Sequence, residues 1–239
     1  MDSFCLKDTD RCLVIAPHAD DESLGCGGAL LKYFKHFDVV VLTDGSQCGY
    51  KDIEEIKKIR LDELKAAMDY AQIKNYKNLM IEDRTVRFNL DKLRSLKIHK
   101  YDYVFVPNKD ENHPDHNCLY EEVKKILRYS LKTKIVCYEV WTPVRKPNFY
   151  VDISDLVDKK FKLISHYKSQ INNRDYANKI ISLNNYRGLE CNKDYIEAFC
   201  ITYPLLQSFL SLFKFEKNEQ HLLIKVFGLR IIHNFLKKS

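Results

Sequence analysis

The chain has 239 residues, of which 45% are apolar and 30% charged, with a formal net charge of +6. That is length enough for one domain with a substantial core, and the composition is globular, which excludes a disordered or low-complexity protein. The positive excess is mild and accompanies no nucleic-acid motif, so nucleic acid is not an expected partner.

In chain order, short apolar runs alternate with longer helical patterns. Residues 12–16, 39–43, 79–81, 103–106 and 135–140 read as strands. Their unbroken apolar character suits strands buried on both faces. Between them, residues 22–36, 52–71, 90–99 and 114–131 read as helices. The alternation predicts an α/β, Rossmann-like architecture: a mostly parallel sheet with helices on both faces. Beyond residue 153 the alternation fades. Residues 156–167 read as a helix, and the Asn-rich residues 172–187 as a surface loop and helix edge.

The last 35 residues, 205–239, change character. Clusters of Leu, Ile and Phe carry six Lys/Arg against two Asp/Glu. They read as a helical extension of two amphipathic helices, giving a division into a domain at 1–204 and an extension at 205–239. A docked segment or subunit interface is the preferred expectation for this tail. Contact with the inner face of a membrane, or with a lipid-linked substrate, is the sharper alternative.

The eight cysteines form no C-x-x-C pair, which argues against a thiolate zinc cluster or a thioredoxin-like site. The start of the chain lacks a signal-peptide pattern, and no apolar run reaches the ~18 residues of a membrane span. A cytoplasmic protein with free thiols is expected.

In a parallel sheet of this kind, ligands bind outside the carboxyl ends of the strands. Two clusters fall there. Pro17-His18-Ala19-Asp20-Asp21-Glu22 follows the first strand, and His113-Pro114-Asp115-His116 follows the fourth. Imidazole and carboxylate are suitable ligands for Zn²⁺, and three protein ligands leave the open position of a catalytic site. Pro114 is well placed to open a helix. His113 and His116, three residues apart, then share a face, one as ligand and one as proton donor. Asp20 and Asp21 diverge, so one carboxylate can bind metal while the other faces water.

The paired clusters resemble the A-H-P-D-D-E and H-x-D-H signatures of the PIG-L/LmbE-like deacetylases, with Ala19 where proline is common. The resemblance extends over most of the first 200 residues, through Thr43-Asp44-Gly45, the helix with Arg60 and Glu63, Tyr138 to Pro143, Ser169-Gln170 and Glu197-Ala198-Phe199. It implies a zinc-dependent hydrolase that removes the N-acetyl group of an amino sugar. By motif position, His18, Asp21 and His116 are the expected Zn²⁺ ligands. Asp20 is the expected general base for the zinc-bound water, and His113 the general acid or oxyanion stabiliser. Asp115 is expected to orient a histidine from behind.

Other residues keep two readings. Arg60 is either part of a solvated helix face or a contact to substrate hydroxyls or phosphate. Trp141 and Tyr138 either stack on a sugar ring or belong to the core. Gly25, Gly27 and Gly28 lack G-x-G-x-x-G spacing, so they are expected to allow close helix packing and not to bind a nucleotide. The competing functions are a metal-dependent hydrolase of another bond and a non-catalytic sugar-binding protein on the same fold. The expected partner is a small-molecule or lipid-linked amino sugar.

Overall fold

The computed structural model of the protein describes residues 1–47, 52–171 and 174–204, and the backbone of three strands between residues 213 and 234. An eight-stranded sheet forms its centre. Its strands are β1 (Asp2–Ser3), β2 (Cys12–Ala16), β3 (Phe37–Thr43), β4 (Tyr76–Ile81), β5 (Tyr103–Pro107), β6 (Lys134–Tyr138), β7 (Phe149–Asp152) and β8 (Ile196–Thr202). The spatial order is β1-β7-β8-β6-β5-β2-β3-β4. The five strands from β4 to β6 are mutually parallel; β8 runs antiparallel to both of its neighbours.

The helices are α1 (Asp21–Lys32), α2 (Ile53–Tyr70), α3 (Leu90–Arg94), α4 (Pro114–Leu127), α5 (Val157–Ile164), α6 (Lys168–Ile171) and α7 (Tyr176–Gly188). They cover both faces, as expected. Alternate residues of β2 show it: Val14 packs into a core with α1, α2, α5 and α7, while Leu13 and Ile15 face α3 and α4. Local signals set several boundaries. The Asp52 carboxylate accepts the Glu54 and Glu55 N–H groups and caps α2. His113 caps α4, with Pro114 in its first turn.

The glycines of α1 serve packing. A Cβ on Gly25 would overlap the Tyr138 ring, and one on Gly28 would overlap Ile153. Gly25→Ala is therefore expected to cost about 1–3 kcal/mol through overpacking, against a helix-propensity gain of about 1 kcal/mol. Urea unfolding measures the balance; a variant more stable than wild type would contradict the contact.

Several expectations are corrected. The helix expected over 90–99 stops at Arg94, where the Ser95 hydroxyl turns back to the Lys92 carbonyl, and a separate 3₁₀ turn follows at Ile98–Lys100. The Asn-rich stretch expected as a surface loop and helix edge forms a full helix, α7, from Tyr176, because Ala177, Ile180 and Asn184 bury one stripe and Asp175 caps it. The tail is not helical where it is described. Phe213–Asn218, His221–Val226 and Leu229–Asn234 form an antiparallel three-stranded sheet, β9 to β11. The first of these strands alternates Phe213, Lys214, Phe215 and Glu216 and the other two carry β-branched Ile and Val, which suits strands once they pair. Docking of residues 205–239 and their membrane contact depend on side chains outside the described residues. Among the described residues, no helix is long and apolar enough to cross a membrane.

Candidate active site

The parallel strands β4-β3-β2-β5-β6 place β2 beside β5, with Leu13 paired to Val104. From β2 the chain winds outward to β3 and β4; from β5 it winds the other way to β6. A crevice opens at that reversal, outside the carboxyl ends of β2 and β5. Both His/Asp clusters leave their strands into it.

Three donor atoms meet there. His18 Nδ1 lies 3.3 Å from Asp21 Oδ2 and 3.2 Å from His116 Nε2, and His116 Nε2 lies 3.1 Å from Asp21 Oδ2. Ligand atoms at about 2.0–2.1 Å from a tetrahedral zinc are roughly 3.3 Å apart, so the triangle has the right size. Its chemistry fits as well. His18 Nε2 faces Asp83 Oδ1 at 3.2 Å and Asp115 Oδ2 at 3.5 Å. Two carboxylates there draw the ring proton to Nε2 and leave a lone pair on Nδ1. That lone pair faces a carboxylate and a second imidazole, an arrangement that a bound cation satisfies and that, without one, a second ring proton satisfies. Burial works against charge on His18, but hydrogen bonds to Asp115, Asp21 and Asp83 push its pKa well above the ordinary value.

Two further groupings could hold a metal: His18, His113 and His116, and His18, Asp83 and Asp115, each with ligand atoms within 4.8 Å of one another. The second uses the outward nitrogen of His18. It is better explained by carboxylates orienting that ring, since Asp115 also accepts the Arg84 and Val86 N–H groups.

Asp20 stands beside the triangle, 8% exposed, with Oδ1 3.8 Å from Arg60 Nη2. Burial pushes its carboxyl up to about 7, with Arg60 opposing and Asp21 adding to the rise. Its backbone N–H donates to Glu22 Oε2, and the other Glu22 oxygen is held by Ser23 and Tyr167. Glu22, the last residue of the first cluster, thus anchors the loop from inside. His113 Nδ1 accepts the Asp115 N–H, so the neutral ring carries its proton on Nε2. Burial, then the charges of His18 and His116, lower its pKa and favour that neutral form.

Arg60 is buried, which removes the solvated-face alternative, and its Nε and Nη1 have no hydrogen-bond partner among the described residues. Gly45 passes it with φ +69°, and a Cβ there would sit 2.7 Å from Arg60 Nε, so both the backbone and the guanidinium demand glycine. Tyr138 is core, its hydroxyl donating to the Ile15 carbonyl. Trp141 is 45% exposed and packs edge-to-face on Tyr176 at 5.0 Å. His18, Asp20, Asp21, Arg60, His113 and Trp141 line a cavity of about 510 Å³. The structure therefore brings together His18, Asp20, Asp21, Arg60, His113, His116 and Trp141, with Asp115 behind His18, and leaves Tyr138 in the core. Two residues went unrecognised in the sequence. Asp83 follows β4, where the strand-end rule could have found it. Glu111 lies two residues before the second cluster but shows its role only through contacts.

Residues 13–127 match the family model described as "PIG-L: GlcNAc-PI de-N-acetylase". A diacetylchitobiose deacetylase from Thermococcus kodakarensis is 26% identical over 191 residues, which cover 69% of this chain and 71% of that protein. The N,N'-diacetylchitobiose deacetylase of Pyrococcus horikoshii, solved with an inhibitor, superposes with a TM-score of 0.70 at 26% identity, covering 83% of this chain and 85% of the other. A 4-carboxy-2-hydroxymuconate hydratase from Pseudomonas putida KT2440 superposes with a TM-score of 0.67 at 16% identity, covering 82% of this chain and 97% of the other; that likeness shows the fold alone.

Proposed function

We propose, from the premise that this chain is a PIG-L/LmbE-like protein over residues 13–127, that it is a zinc-dependent hydrolase removing the N-acetyl group from an N-acetylglucosamine-type sugar. The observation that carries this is the triangle of His18, Asp21 and His116 donor atoms, 3.1–3.3 Å apart, with the Asp20 carboxyl beside it.

His18, Asp21 and His116 would hold the zinc. When bound, the metal supplies Lewis-acid polarisation of the amide carbonyl and lowers the pKa of water. Asp20 takes the proton of the attacking water as its oxygen bonds to the acetyl carbon. His113, neutral with Nε2–H free to donate, stabilises the oxygen that gains charge. The C–N bond then breaks, the amine leaves with the proton, and acetate is released. Asp83 and Asp115 keep His18 in the tautomer that points Nδ1 inward. Arg60 holds Asp20 through Nη2 and lines the cavity beside it, and Trp141 forms the wall of the sugar site.

A second pocket of about 510 Å³, lined by Leu24, Val140, Pro143, Ile180 and Leu183, shares Trp141 and Tyr176 with the first. Lys179 and Arg174 also line it, Arg174 shared with the first pocket, so an apolar wall flanked by two cations suits a lipid-linked amino sugar with an anionic linker. A cytoplasmic setting is supported by the cysteines, which are free among the described residues.

The test is acetate release by zinc-loaded protein from free N-acetylglucosamine, diacetylchitobiose, and nucleotide-linked and lipid-linked N-acetylglucosamine. Turnover that is highest on the lipid-linked sugar and stops on chelation is expected. Absence of acetate from all four substrates overturns the proposal.

A further inference from the structure

Glu111 lies between β5 and α4, 2% exposed. Its two oxygens face different parts of the site. Oε1 accepts three consecutive backbone N–H groups, those of Val140, Trp141 and Thr142, at 3.3, 3.0 and 3.1 Å. This turn carries Trp141 to the cavity. Oε2 is buried and lies 3.9 Å from His116 Nδ1, likewise buried, and neither atom has a hydrogen-bond partner among the described residues.

The two unmet atoms are complementary. His116 Nε2 faces Asp21 and His18, so a neutral His116 that offers its lone pair there must carry its proton on Nδ1. A buried N–H of that kind needs an acceptor, and Glu111 Oε2 is the carboxylate oxygen facing it. A residue that only anchored the turn would need Oε1 alone.

We infer that Glu111 is a positioning residue whose single carboxylate orients the His116 ring for metal and holds the Trp141 turn against the substrate. The inference rests on the zinc hydrolase proposed above. Metal affinity and substrate affinity are thereby tied to one side chain.

Two variants separate its two oxygens. Glu111→Gln keeps an oxygen for the three N–H groups but can turn an amide N–H toward His116. Zinc affinity, read by competition with a chromophoric chelator, is expected to fall roughly 10- to 100-fold. KM at saturating zinc should stay near wild type. Glu111→Ala removes both contacts, so KM should rise as well. Trp141 is the single tryptophan of the chain, so its emission reports the turn directly. Emission should shift in Glu111→Ala and not in Glu111→Gln. If the Ala variant does not fold, the Gln variant alone still decides. Unchanged zinc affinity in Glu111→Gln overturns the inference, as does a changed Trp141 emission in that variant. A wild type that neither binds zinc nor releases acetate sinks the proposed function instead, which keeps the two failures distinct.

Discussion

Asp20→Asn is expected to lower kcat by about 10²–10⁴-fold while leaving zinc bound, the range that loss of a general base produces. Asn has nearly the shape of Asp and cannot take a proton, and Asp20 is not one of the three atoms in the metal triangle. The measurement is single-turnover acetate release together with metal content. Full activity in Asp20→Asn would remove the residue from the base role, and loss of zinc would make it a ligand.

The same residue sets an expected pH profile. A base must be ionised to work. Burial raises the Asp20 carboxyl to about 7, so without metal it is protonated below neutrality. A bound divalent cation pulls it downward, because it favours the carboxylate. The acid limb of kcat/KM is therefore expected at or below pH 7, with activity rising as pH increases through it. Arg60 is the buried cation beside Asp20 and opposes the rise. Arg60→Met should therefore move the limb to higher pH, in addition to raising KM. A limb that stays in place would show that Asp20 and Arg60 are not electrostatically coupled.

The largest expected loss of stability lies behind the site. Lys160 is fully buried, with Nζ 2.7 Å from Glu197 Oε1 and 2.8 Å from Asn184 Oδ1. Glu197 also accepts the Gly28 and Ala29 N–H groups, at 2.6 and 2.8 Å. One ion pair therefore joins α5, α7, β8 and the middle of α1. Lys160→Met leaves a buried carboxylate with no cation and is expected to cost about 3–5 kcal/mol. That is a large share of the about 5–15 kcal/mol a domain has. The double variant Lys160→Met/Glu197→Leu should recover much of the loss, since neither charge then remains buried. Urea unfolding of the three proteins checks this. Equal stability of wild type and Lys160→Met would contradict the buried pair. Because α1 begins with Asp21 and Glu22, zinc affinity should fall with the first variant and return with the second.

The central strands were legible because a strand buried on both faces must be apolar along its whole length, as Cys12–Ala16 is. The helix starts at Asp52 and Pro114 were legible because capping is a local matter of three or four residues. His18, Asp20, Asp21, His113 and His116 could be singled out because their types are suited to metal and proton chemistry and they follow strands. Other features had no local pattern. β8 carries Glu197 as its second residue, which reads as a break until the α1 amides and Lys160 meet it. β9 to β11 looked helical because short apolar–basic segments fit both periods, and only strand pairing separates them. Asp83 and Glu111 resemble ordinary loop carboxylates. Their roles arise because the strand order places the ends of β4 and β5 around the same two imidazoles. Sequence by itself determined which residue types enter the crevice, since burial and capping act over a few residues. Tertiary structure alone decided which atom of each ring faces the metal position, because that depends on carboxylates brought from distant strands.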